Sequence, residues 1–499
     1  MDLRGAALIV VRWVQLVEYP LNCRDVQRYL FTMRPLFVLL TLPLLLNAAQ
    51  ATTWTVGPGQ SYTLPSQVST LVVDGDTVNI LAGTYASDVA RWQADDLVLR
   101  GVGGMAHLES NGNAWDGKAI WVIQGDRTTV EWIEFSECAV PDENGAGIRQ
   151  EGSDLTVRHC HFHDNQNGIL AGTVNPSTIR IEHCEFGYNG FGDGLTHNLY
   201  INNVDSLIFR FNYSHHAIVG HELKSRARVN VIEYNRFSNE ADGTASREID
   251  LPNGGQAYLI GNVIQQGPQG ENSNLVGFGM EGLNNPGPHE LYAVNNTLVN
   301  EKSVGSFFQM PGSVYFKAYS NILAGGGSFM TAWPTTIDTL ANLRRTDIST
   351  CGFNAPNGYD YRIDTDSPAH NLGVPAGLAN SGYPLVAWSE YVHPSDGVER
   401  CQHALLDAGA FETCTTGLEE PSTPPAVLFV EPTTRRLLVE LAQAVQTVEV
   451  FDVQGRLLLS RSVEGQRSLS LDLGGAPAGV HLLRTQGRSG SSVQRFVIP

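Results

Sequence analysis

The feature that most restricts the fold of this chain is an internal repeat. From about residue 130 onward, a unit of about two dozen residues recurs, and each copy contains a line of the form apolar-x-(Cys/Asn)-x-apolar. Apolar and polar residues alternate in each line, which is the pattern of a β-strand and not of a helix. The central position of successive copies is occupied by Cys160, Cys184, Asn212, Asn235, Asn262, Asn296 and Asn321.

A repeat of this length is the scale on which a parallel β-helix completes one coil. Successive coils stack about 4.8 Å apart, so an Asn that recurs at one turn passes side-chain amide hydrogen bonds from coil to coil. We therefore predict an all-β solenoid with an asparagine ladder, in which Cys160 and Cys184 take the first two positions.

Segments outside the clearest repeats resemble a known superfamily. Residues 75–85 and 97–101 are similar to the opening coils of the pectate-lyase-like β-helix superfamily. The segment Asp407-Ala-Gly-Ala-Phe-Glu412 is similar to the motif that often closes such helices. The resemblance implies a right-handed parallel β-helix over residues 52–415, and it is much less specific for the reaction than for the fold.

The beginning of the chain predicts a secretory signal peptide over residues 33–51. Met33-Arg-Pro precedes an apolar run at 36–46, and Ala49-Gln-Ala51 forms a small-x-small cleavage site. Residues 1–32 are then an upstream extension, and we expect translation to start at Met33. The alternative is an N-terminal helix or membrane anchor, although the apolar run is too short to span a bilayer.

The end of the chain resembles a second family. A Thr/Pro/Glu-rich linker is predicted at 416–425. In residues 426–499, an Asp-x-x-Gly-Arg turn and a later Ala478-Gly-Val-His-Leu-Leu are similar to the small β-sandwich sorting domain of the type IX secretion system. The resemblance implies passage through a Gram-negative periplasm, contact with the outer-membrane secretion machinery and cleavage at the cell surface, which leaves a secreted or surface-attached protein. A carbohydrate-binding or immunoglobulin-like module is the alternative.

The composition excludes some partner classes. With 32 Lys and Arg against 51 Asp and Glu, the formal net charge of −19 argues against nucleic acid and anionic membranes as partners. Of the seven Cys, Cys23 would be lost with the leader, which leaves an even number in an oxidising compartment. Cys401 and Cys414 are candidate disulfide partners.

Three consecutive coils carry an unusually polar strand each, at 196–201, 220–225 and 246–251. They align when one inward column holds Leu199, Leu223 and Ile249. Because side chains alternate across a strand, the neighbours of this column are expected to point outward. The expected outward columns are Asn198, Glu222 and Glu248 in one and Tyr200, Lys224 and Asp250 in the other, with Asn274 in the next coil.

These outward groups suit β-elimination from a uronic acid. The reaction needs a base for the C5 proton, a cation or metal ion for the carboxylate, and an acid for the leaving oxygen. Lys224 is the candidate base, because Lys, unlike Arg, loses its proton readily, and Tyr200 is the candidate acid. The candidate carboxylate partners are Arg226, Arg228 and Arg247.

Further residues complete the candidate site. His197 and His221 share the inward parity of Leu199 and Leu223, so each is a core histidine or a group at the rim of the site. We assign His221 to the catalytic candidates, and the candidate substrate contacts are His197, Asn198, Arg228, Asn253 and Asn274. Some parallel β-helix lyases are similar in using Lys, Arg or Tyr on the outer face, commonly with Ca²⁺, and Ca²⁺ prefers several oxygen ligands. The candidate ligands are Glu222, Glu248 and Asp250.

Several functions remain open on the sequence. The cluster around Lys224 also fits cross-rung ion pairing without catalysis. A hydrolase would use Glu222, Glu248 and Asp250 as acid and base, a uronan epimerase would share the proton abstraction, and a glycan-binding adhesin would need only a polar face. We expect an acidic polysaccharide as the partner, because the stretch from Lys224 to Arg247 is basic within an acidic chain, and we expect a monomer.

Overall fold

The computed structural model describes residues 51–331, 336–401, 403, 405–414, 426–431, 435–441, 445–452, 456–463, 466–487 and 490–498. The predicted extension 1–32, the predicted signal peptide up to Gln50 and the predicted linker 416–425 lie outside these residues. Among the residues described, no helix combines the length and the apolar character that a membrane span requires.

Residues 53–345 wind into a right-handed parallel β-helix in which a typical coil has three short strands. The strands are, in chain order, β1 Thr53–Val56, β2 Thr77–Thr84, β3 Ala90–Trp92, β4 Val98–Glu109, β5 Ala119–Ile123, β6 Thr129–Glu131, β7 Ile133–Ser136, β8 Ala146–Gln150, β9 Thr156–Arg158, β10 His161–His163, β11 Asn167–Ala171, β12 Thr178–Glu182, β13 Glu185–Gly187, β14 Leu199–Ile201, β15 Ser206–Arg210, β16 Tyr213–His215, β17 Leu223–Ser225, β18 Val229–Glu233, β19 Arg236–Ser238, β20 Ile249–Leu251, β21 Gln256–Ile260, β22 Val263–Gln266, β23 Asn274–Phe278, β24 Glu290–Val294, β25 Thr297–Asn300, β26 Ser306–Gln309, β27 Tyr315–Tyr319, β28 Ile322–Gly325, β29 Ser328–Met330, β30 Thr336–Leu340 and β31 Leu343–Arg345.

These strands stack into three walls. The first wall consists of β6, β9, β12, β15, β18, β21, β24, β27 and β30, and the second consists of β7, β10, β13, β16, β19, β22, β25, β28 and β31. The long strand β4 pairs with the first strand of both walls, and β1 and β2 precede it. The third wall consists of β3, β5, β8, β11, β14, β17, β20, β23, β26 and β29.

The core fills the interior of the coil with stacked side chains. In the second wall Phe162 pairs in register with Phe135 on one side and Phe186 on the other. Their rings stack with centroids 4.9 and 4.8 Å apart, and all three side chains are buried. Each coil therefore places its apolar residues on those of its neighbours, which fixes the register from rung to rung.

A ladder of side chains follows the bend between the first and second walls. The residue before each ladder position has a positive φ where the chain turns, as at Tyr234 with φ of 57°. The Asn262 side-chain oxygen accepts bonds from the backbone N–H and the side-chain amide of Asn235, both at 3.0 Å. The same pattern links Asn212 to Asn235 and continues beyond Asn262 through Asn296, Asn321 and Asn342.

The two cysteines occupy the first positions of this ladder. The Cys160 N–H donates to the Cys184 sulfur at 3.4 Å, and the Cys184 N–H donates to the Asn212 side-chain oxygen at 2.9 Å. Both cysteines are buried and unpaired. The predicted Cys401–Cys414 disulfide is present, with Cα atoms 5.9 Å apart.

A second interior ladder lies at the bend that leads into the third wall, and it corrects part of the predicted site. Asn198, Glu222 and Glu248 are fully buried, not directed outward. The Asn198 amide donates to the Glu222 carboxyl at 2.6 Å and its oxygen accepts from Asn189 at 2.9 Å. Strand alternation does not extend to these residues, because β14, β17 and β20 begin only at the next residue and the bend turns these side chains inward.

Segments after the last coil cover the outer faces of the first two walls. Leu385 packs in one cluster with Tyr258 of the first wall, and Tyr361 packs with Val299 of the second. The regular elements outside the coils are the 3₁₀ helices Pro65–Gln67, Ile348–Cys351 and Pro356–Gly358, and the hairpins β32 Phe353–Ala355 with β33 Asp360–Ile363 and β34 Ser389–Val392 with β35 Asp396–Glu399.

The C-terminal region forms two small antiparallel sheets around a separate apolar core that includes Leu437, Val450 and Leu483. One sheet has the order β36-β37-β40, and the other has the order β39-β38-β41-β42. The strands are β36 Ala426–Glu431, β37 Arg436–Leu441, β38 Thr447–Asp452, β39 Leu457–Ser462, β40 Ser468–Asp472, β41 Gly479–Gly487 and β42 Gly490–Ile498.

The ladder predicts a stability effect. Replacing Asn262 by Ala leaves the N–H of Asn235 and the carbonyl of Ile232 without their ladder partner. Each buried polar group that loses its partner costs about 1–3 kcal/mol, so we expect the free energy of unfolding to fall by about 3 kcal/mol or more. Urea unfolding measures this, with the exposed Asn144→Ala as control. Equal stability of both variants would contradict a structural ladder.

Glu222 predicts a pH dependence of stability. Burial raises the pKa of Glu222 to about 8, against the lowering effect of hydrogen bonds from Ala217, Ser214 and Asn198. Between about pH 4.5 and about pH 8, the folded chain keeps a proton that the unfolded chain has released, so stability falls as pH rises through this window.

Glu222→Gln mimics the protonated side chain, so we expect its free energy of unfolding to fall less steeply over the same window. Urea unfolding at several pH values checks this. The exposed Glu137→Gln is the control and should keep the wild-type slope. An unchanged slope in Glu222→Gln would show that Glu222 is already ionised in the folded chain.

Candidate functional site

The candidate site lies on the outer face of the third wall, where a polar column crosses three adjacent strands. Tyr200 on β14 pairs in register with Lys224 on β17, which pairs with Asp250 on β20. This is the column that strand alternation predicts. The next positions in the column are Gly277 on β23 and Gln309 on β26.

Two cations of this face hold one carboxylate between them. The Lys224 Nζ lies 2.7 Å from the Glu281 Oε1, and an Arg226 Nη lies 2.5 Å from the Glu281 Oε2. Partial burial of Glu281 acts in the opposite direction, but these hydrogen bonds hold its pKa at about 2. Glu281 is therefore a carboxylate anion bound in a two-cation cleft, and its side chain is still 45% exposed.

Arg226 bonds to two further polar residues of this face, Tyr200 and Asn253. Its Nε donates to the Tyr200 hydroxyl at 2.8 Å, and an Nη donates to the Asn253 side-chain oxygen at 2.7 Å. The guanidinium carbon also lies 5.8 Å from the centroid of the Tyr200 ring. The guanidinium is thus fixed by Tyr200 and Asn253 and presents its remaining edge to Glu281.

Asp250 is the second carboxylate of the face, and it also lies among cations. Its Oδ1 accepts from an Arg247 Nη at 2.6 Å, and its Oδ2 lies 3.5 Å from the Lys224 Nζ. The second Nη of Arg247 donates to the Gln309 side chain at 2.5 Å. Three cations therefore meet two carboxylates on this face, and Lys224 lies between the two carboxylates.

His197 and His221 lie beside this column, at the rim of the site and not in the apolar core, which were the two places left open by their parity. The His197 ring stacks with the His221 ring at 4.9 Å and lies 5.9 Å from the Tyr200 ring. The His221 Nε2 is 3.7 Å from an Asp250 oxygen. The physical reason is again the bend before β14 and β17, which ends the strand alternation at these residues.

Both imidazoles are neutral. Burial lowers the pKa of His221 to about 3, and the cations Lys224 and Arg247 act in the same direction. Burial also lowers the pKa of His197, assisted by His221 and Lys224. The Nδ1 of His197 accepts from the His221 backbone N–H at 3.0 Å, and the Nδ1 of His221 accepts from the Arg247 N–H at 3.2 Å. Each ring is thus oriented by the backbone of the next coil.

Besides the buried Asn198, two more predicted substrate contacts do not join the cluster. Asn274 lies at the start of β23, and its side chain interacts with Asn272 and Ser306, whereas Gly277 occupies the matching place in the column. Arg228 lies beyond the end of β17, and its guanidinium lies 4.0 Å from Asp205. The expected position of Asn274 is therefore wrong, because the register places it three residues before the column.

Glu281, Gln309 and Gly277 are the parts of the site that the repeat pattern does not identify. Glu281 lies after β23 and outside any strand, 57 residues from Lys224. A Cβ atom at Gly277 would lie 2.2 Å from an Arg247 nitrogen, so the absent side chain is what lets this guanidinium cross the column. A glycine in an otherwise polar column was the one available signal for this crossing.

The three carboxylates expected to bind Ca²⁺ do not meet. Glu222 and Glu248 are inside the coil, where Glu222 bonds to Asn198 and Glu248 accepts from Asn239 at 3.0 Å. Asp250 lies on the outer face and is paired with Arg247 and Lys224. Ca²⁺ takes about six to eight oxygen ligands, and this set does not supply a shared group of them.

Comparison with known proteins finds one matching family model for each of the two regions. The model of the right-handed β-helix region matches residues 106–316, and the model of the secretion system C-terminal sorting domain matches residues 428–499. No curated protein matches the chain significantly.

Among solved structures, pectate lyase Pel9A is similar with a TM-score of 0.51 and 12% identity over 73% of this chain and 97% of that chain. A pectin methylesterase from Aspergillus niger has a TM-score of 0.27 and 11% identity over 60% of this chain and 89% of its own. The first similarity supports the shared β-helix fold, and the sorting domain indicates export to the cell surface or beyond it. The chain therefore combines a right-handed β-helix that shares its fold with pectate lyase Pel9A and a C-terminal region that matches a sorting domain of the type IX secretion system, which indicates export.

Proposed function

We propose that this chain acts on a uronic-acid-containing polysaccharide as a lyase or an epimerase, and that the substrate carboxylate takes the place of Glu281. The observation that supports the proposal is the binding of the Glu281 carboxylate by Lys224 and Arg226 together. A cleft that holds a carboxylate from its own chain has the charge and the donor geometry for the carboxylate of a sugar acid.

Arg226 is the better partner for the substrate carboxylate, because a guanidinium binds both oxygens of a carboxylate in a fixed geometry and stays charged. Lys224 is then free for the C5 proton. Displacement of Glu281 removes the carboxylate closest to Lys224, so the Lys224 Nζ can approach the substrate while Asp250 stays 3.5 Å away.

In the lyase reaction, the C5–H bond breaks and its proton passes to the Lys224 amine. The electron pair forms the C4–C5 double bond while the C4–O bond breaks, and Tyr200 gives a proton to the departing oxygen. In the epimerase reaction, no C–O bond breaks, and the Tyr200 hydroxyl gives its proton to the opposite face of C5. Both reactions need the carboxylate charge to be neutralised by Arg226.

The hydrolase alternative loses the carboxyl groups on which it depended. Glu222 and Glu248 are buried and bonded inside the coil, so neither reaches a sugar on the outer face. Asp250 remains outside but is paired with Arg247. The outer face thus offers a base, an acid and a carboxylate site more readily than a pair of hydrolytic carboxyl groups.

The C-terminal region indicates where the protein would act. Its match to a secretion sorting domain supports type IX secretion machinery as a partner and an extracellular place of action. We infer that the domain is cleaved at the cell surface, which would leave the β-helix exposed to extracellular polysaccharide. Pectate lyase Pel9A shares the fold at 12% identity, so the substrate class depends on the outer-face geometry.

The first test is removal of the proposed base. Lys224→Ala should lower the rate at which unsaturated uronic acid products absorb ultraviolet light by about 10²–10⁴-fold, the usual contribution of a general base. The full chain is assayed on pectate, alginate, glycosaminoglycans and ulvan-like polymers, each with Ca²⁺ and with chelator. Proton exchange at C5 in D₂O, followed by NMR, detects an epimerase.

Lys317→Ala is the matched control. The Lys317 side chain is 13% exposed and lies 3.6 Å from Asp338, close to the values of 12% and 3.5 Å for Lys224 and Asp250. It lies on the first wall, so its loss should leave the activity unchanged. Absence of product and of proton exchange on all polymers would reject the proposal, and release of reducing ends would then separate a hydrolase from a binding protein.

Replacement of Glu281 tests the carboxylate exchange. Glu281→Gln removes the internal anion that competes with the substrate, so we expect KM to fall about fivefold, which corresponds to about 1 kcal/mol for a partly exposed ion pair. Initial rates over a substrate series measure this, with the exposed Glu271→Gln as control. A KM that is unchanged or higher in Glu281→Gln would show that Glu281 does not occupy the substrate carboxylate site.

A further inference from the structure

A second cluster of ionisable side chains lies on the outer face of the second wall, at its first strands. His107 on β4 pairs in register with Glu134 on β7, and His163 lies on β10, which pairs with β7. Ligand atoms of these three side chains all lie within 4.8 Å of one another. Neither the repeat pattern nor the proposed reaction accounts for this convergence.

The separations suit a small transition-metal ion. The His163 Nε2 lies 3.1 Å from the Glu134 Oε1, and the His107 Nε2 lies 3.9 Å from the same oxygen. Zinc bonds to nitrogen and oxygen are about 2.0–2.2 Å long, so two ligand atoms in a tetrahedral site are about 3.3 Å apart. The His107 Nε2 also lies 2.8 Å from the Ser136 hydroxyl oxygen, so binding of an ion requires this nitrogen to exchange that hydrogen bond for the metal. The three ligand atoms, which lie within 4.8 Å of one another, would then move closer together around one ion.

His163 is also held as a metal ligand usually is. Its second nitrogen, Nδ1, lies 2.7 Å from an Asp164 carboxylate oxygen. A metal-binding His commonly donates its other ring N–H to a carboxylate, which fixes the tautomer and leaves the opposite nitrogen free for the ion. Asp164 thus directs the Nε2 of His163 toward Glu134.

The cluster is accessible to an ion from solution. The side chains of His107, Glu134 and His163 are 22%, 27% and 21% exposed. The segments that cover the second wall contact its later strands, for example through Val299 on β25 and through Tyr213 on β16 beside His393. The three groups lie on the earlier strands β4, β7 and β10.

We propose that His107, Glu134 and His163 form a binding site for one Zn²⁺ ion, with a fourth coordination position open to water. Two imidazoles and one carboxylate are ligands that Zn²⁺ binds, and three protein ligands plus an open position are the pattern of accessible zinc sites. The site lies on a different wall from Lys224, so it does not depend on the proposed reaction.

The test measures Zn²⁺ binding to the purified full chain, without a histidine tag. After treatment with chelator, the wild type should take up one Zn²⁺ per chain, measured by metal analysis after gel filtration and by competition with a chromogenic chelator. His107→Gln and His163→Gln should each abolish this stoichiometric uptake. Asp164→Asn leaves all three ligands in place and should weaken binding about 10- to 100-fold.

His159→Asn is the matched control. His159 lies just before β10 and stacks on Trp132 at 4.5 Å, outside the cluster. Its φ of 50° is one that Asn accepts. This variant should bind Zn²⁺ like the wild type, and unfolding curves check that all variants fold. No Zn²⁺ uptake by the wild type, or wild-type binding in His107→Gln and His163→Gln, would overturn the proposal.

Discussion

The bends of the coil control this structure, because each bend takes backbone groups out of one sheet before they enter the next. A buried N–H without an acceptor costs about as much as several favourable contacts provide. At the first bend, the Asn235 N–H finds its acceptor in the Asn262 side chain of the next coil. One amide side chain thus satisfies two coils, and a coil that lost it would weaken both neighbours. The stack, and every outer column, depends on this transfer between coils.

The bend into the third wall follows the same rule with different residues, and this shapes the candidate site. The Asn189 side chain bonds to Asn198, and Asn198 bonds to Glu222. In this ladder a carboxyl group therefore follows two amide side chains. Burial keeps Glu222 protonated to about pH 8. The acid behind the site therefore adds little charge at neutral pH, and the field on the outer face is set by the groups that line it.

The sequence was sufficient for the fold and for one column of the site. The recurring Asn and Cys predict the coil length and the ladder, and Leu199 with Leu223 predicts the register that aligns Tyr200 with Lys224. Alternation holds only within a strand, and β14 has three residues. Strand alternation therefore could not place the side chains of Asn198 and His197, because both residues precede the first residue of β14. Glu281 comes from a segment after β23 whose path has no periodic signal.

Because the Glu281 carboxylate already occupies the cationic cleft, the free energy of binding an anionic polymer must come from other contacts. With Glu281 bound, Lys224 and Arg226 already share one carboxylate partner, and the chain as a whole carries a net charge of −19. A substrate carboxylate that replaces Glu281 forms similar bonds, so the exchange itself contributes little free energy. Because Glu281 is 45% exposed, its two ion pairs together are worth only about 1 kcal/mol, and the exchange is also not strongly opposed. Net affinity must then come from sugar units on either side of the reacting one, so a polymer binds more tightly than a single uronic acid.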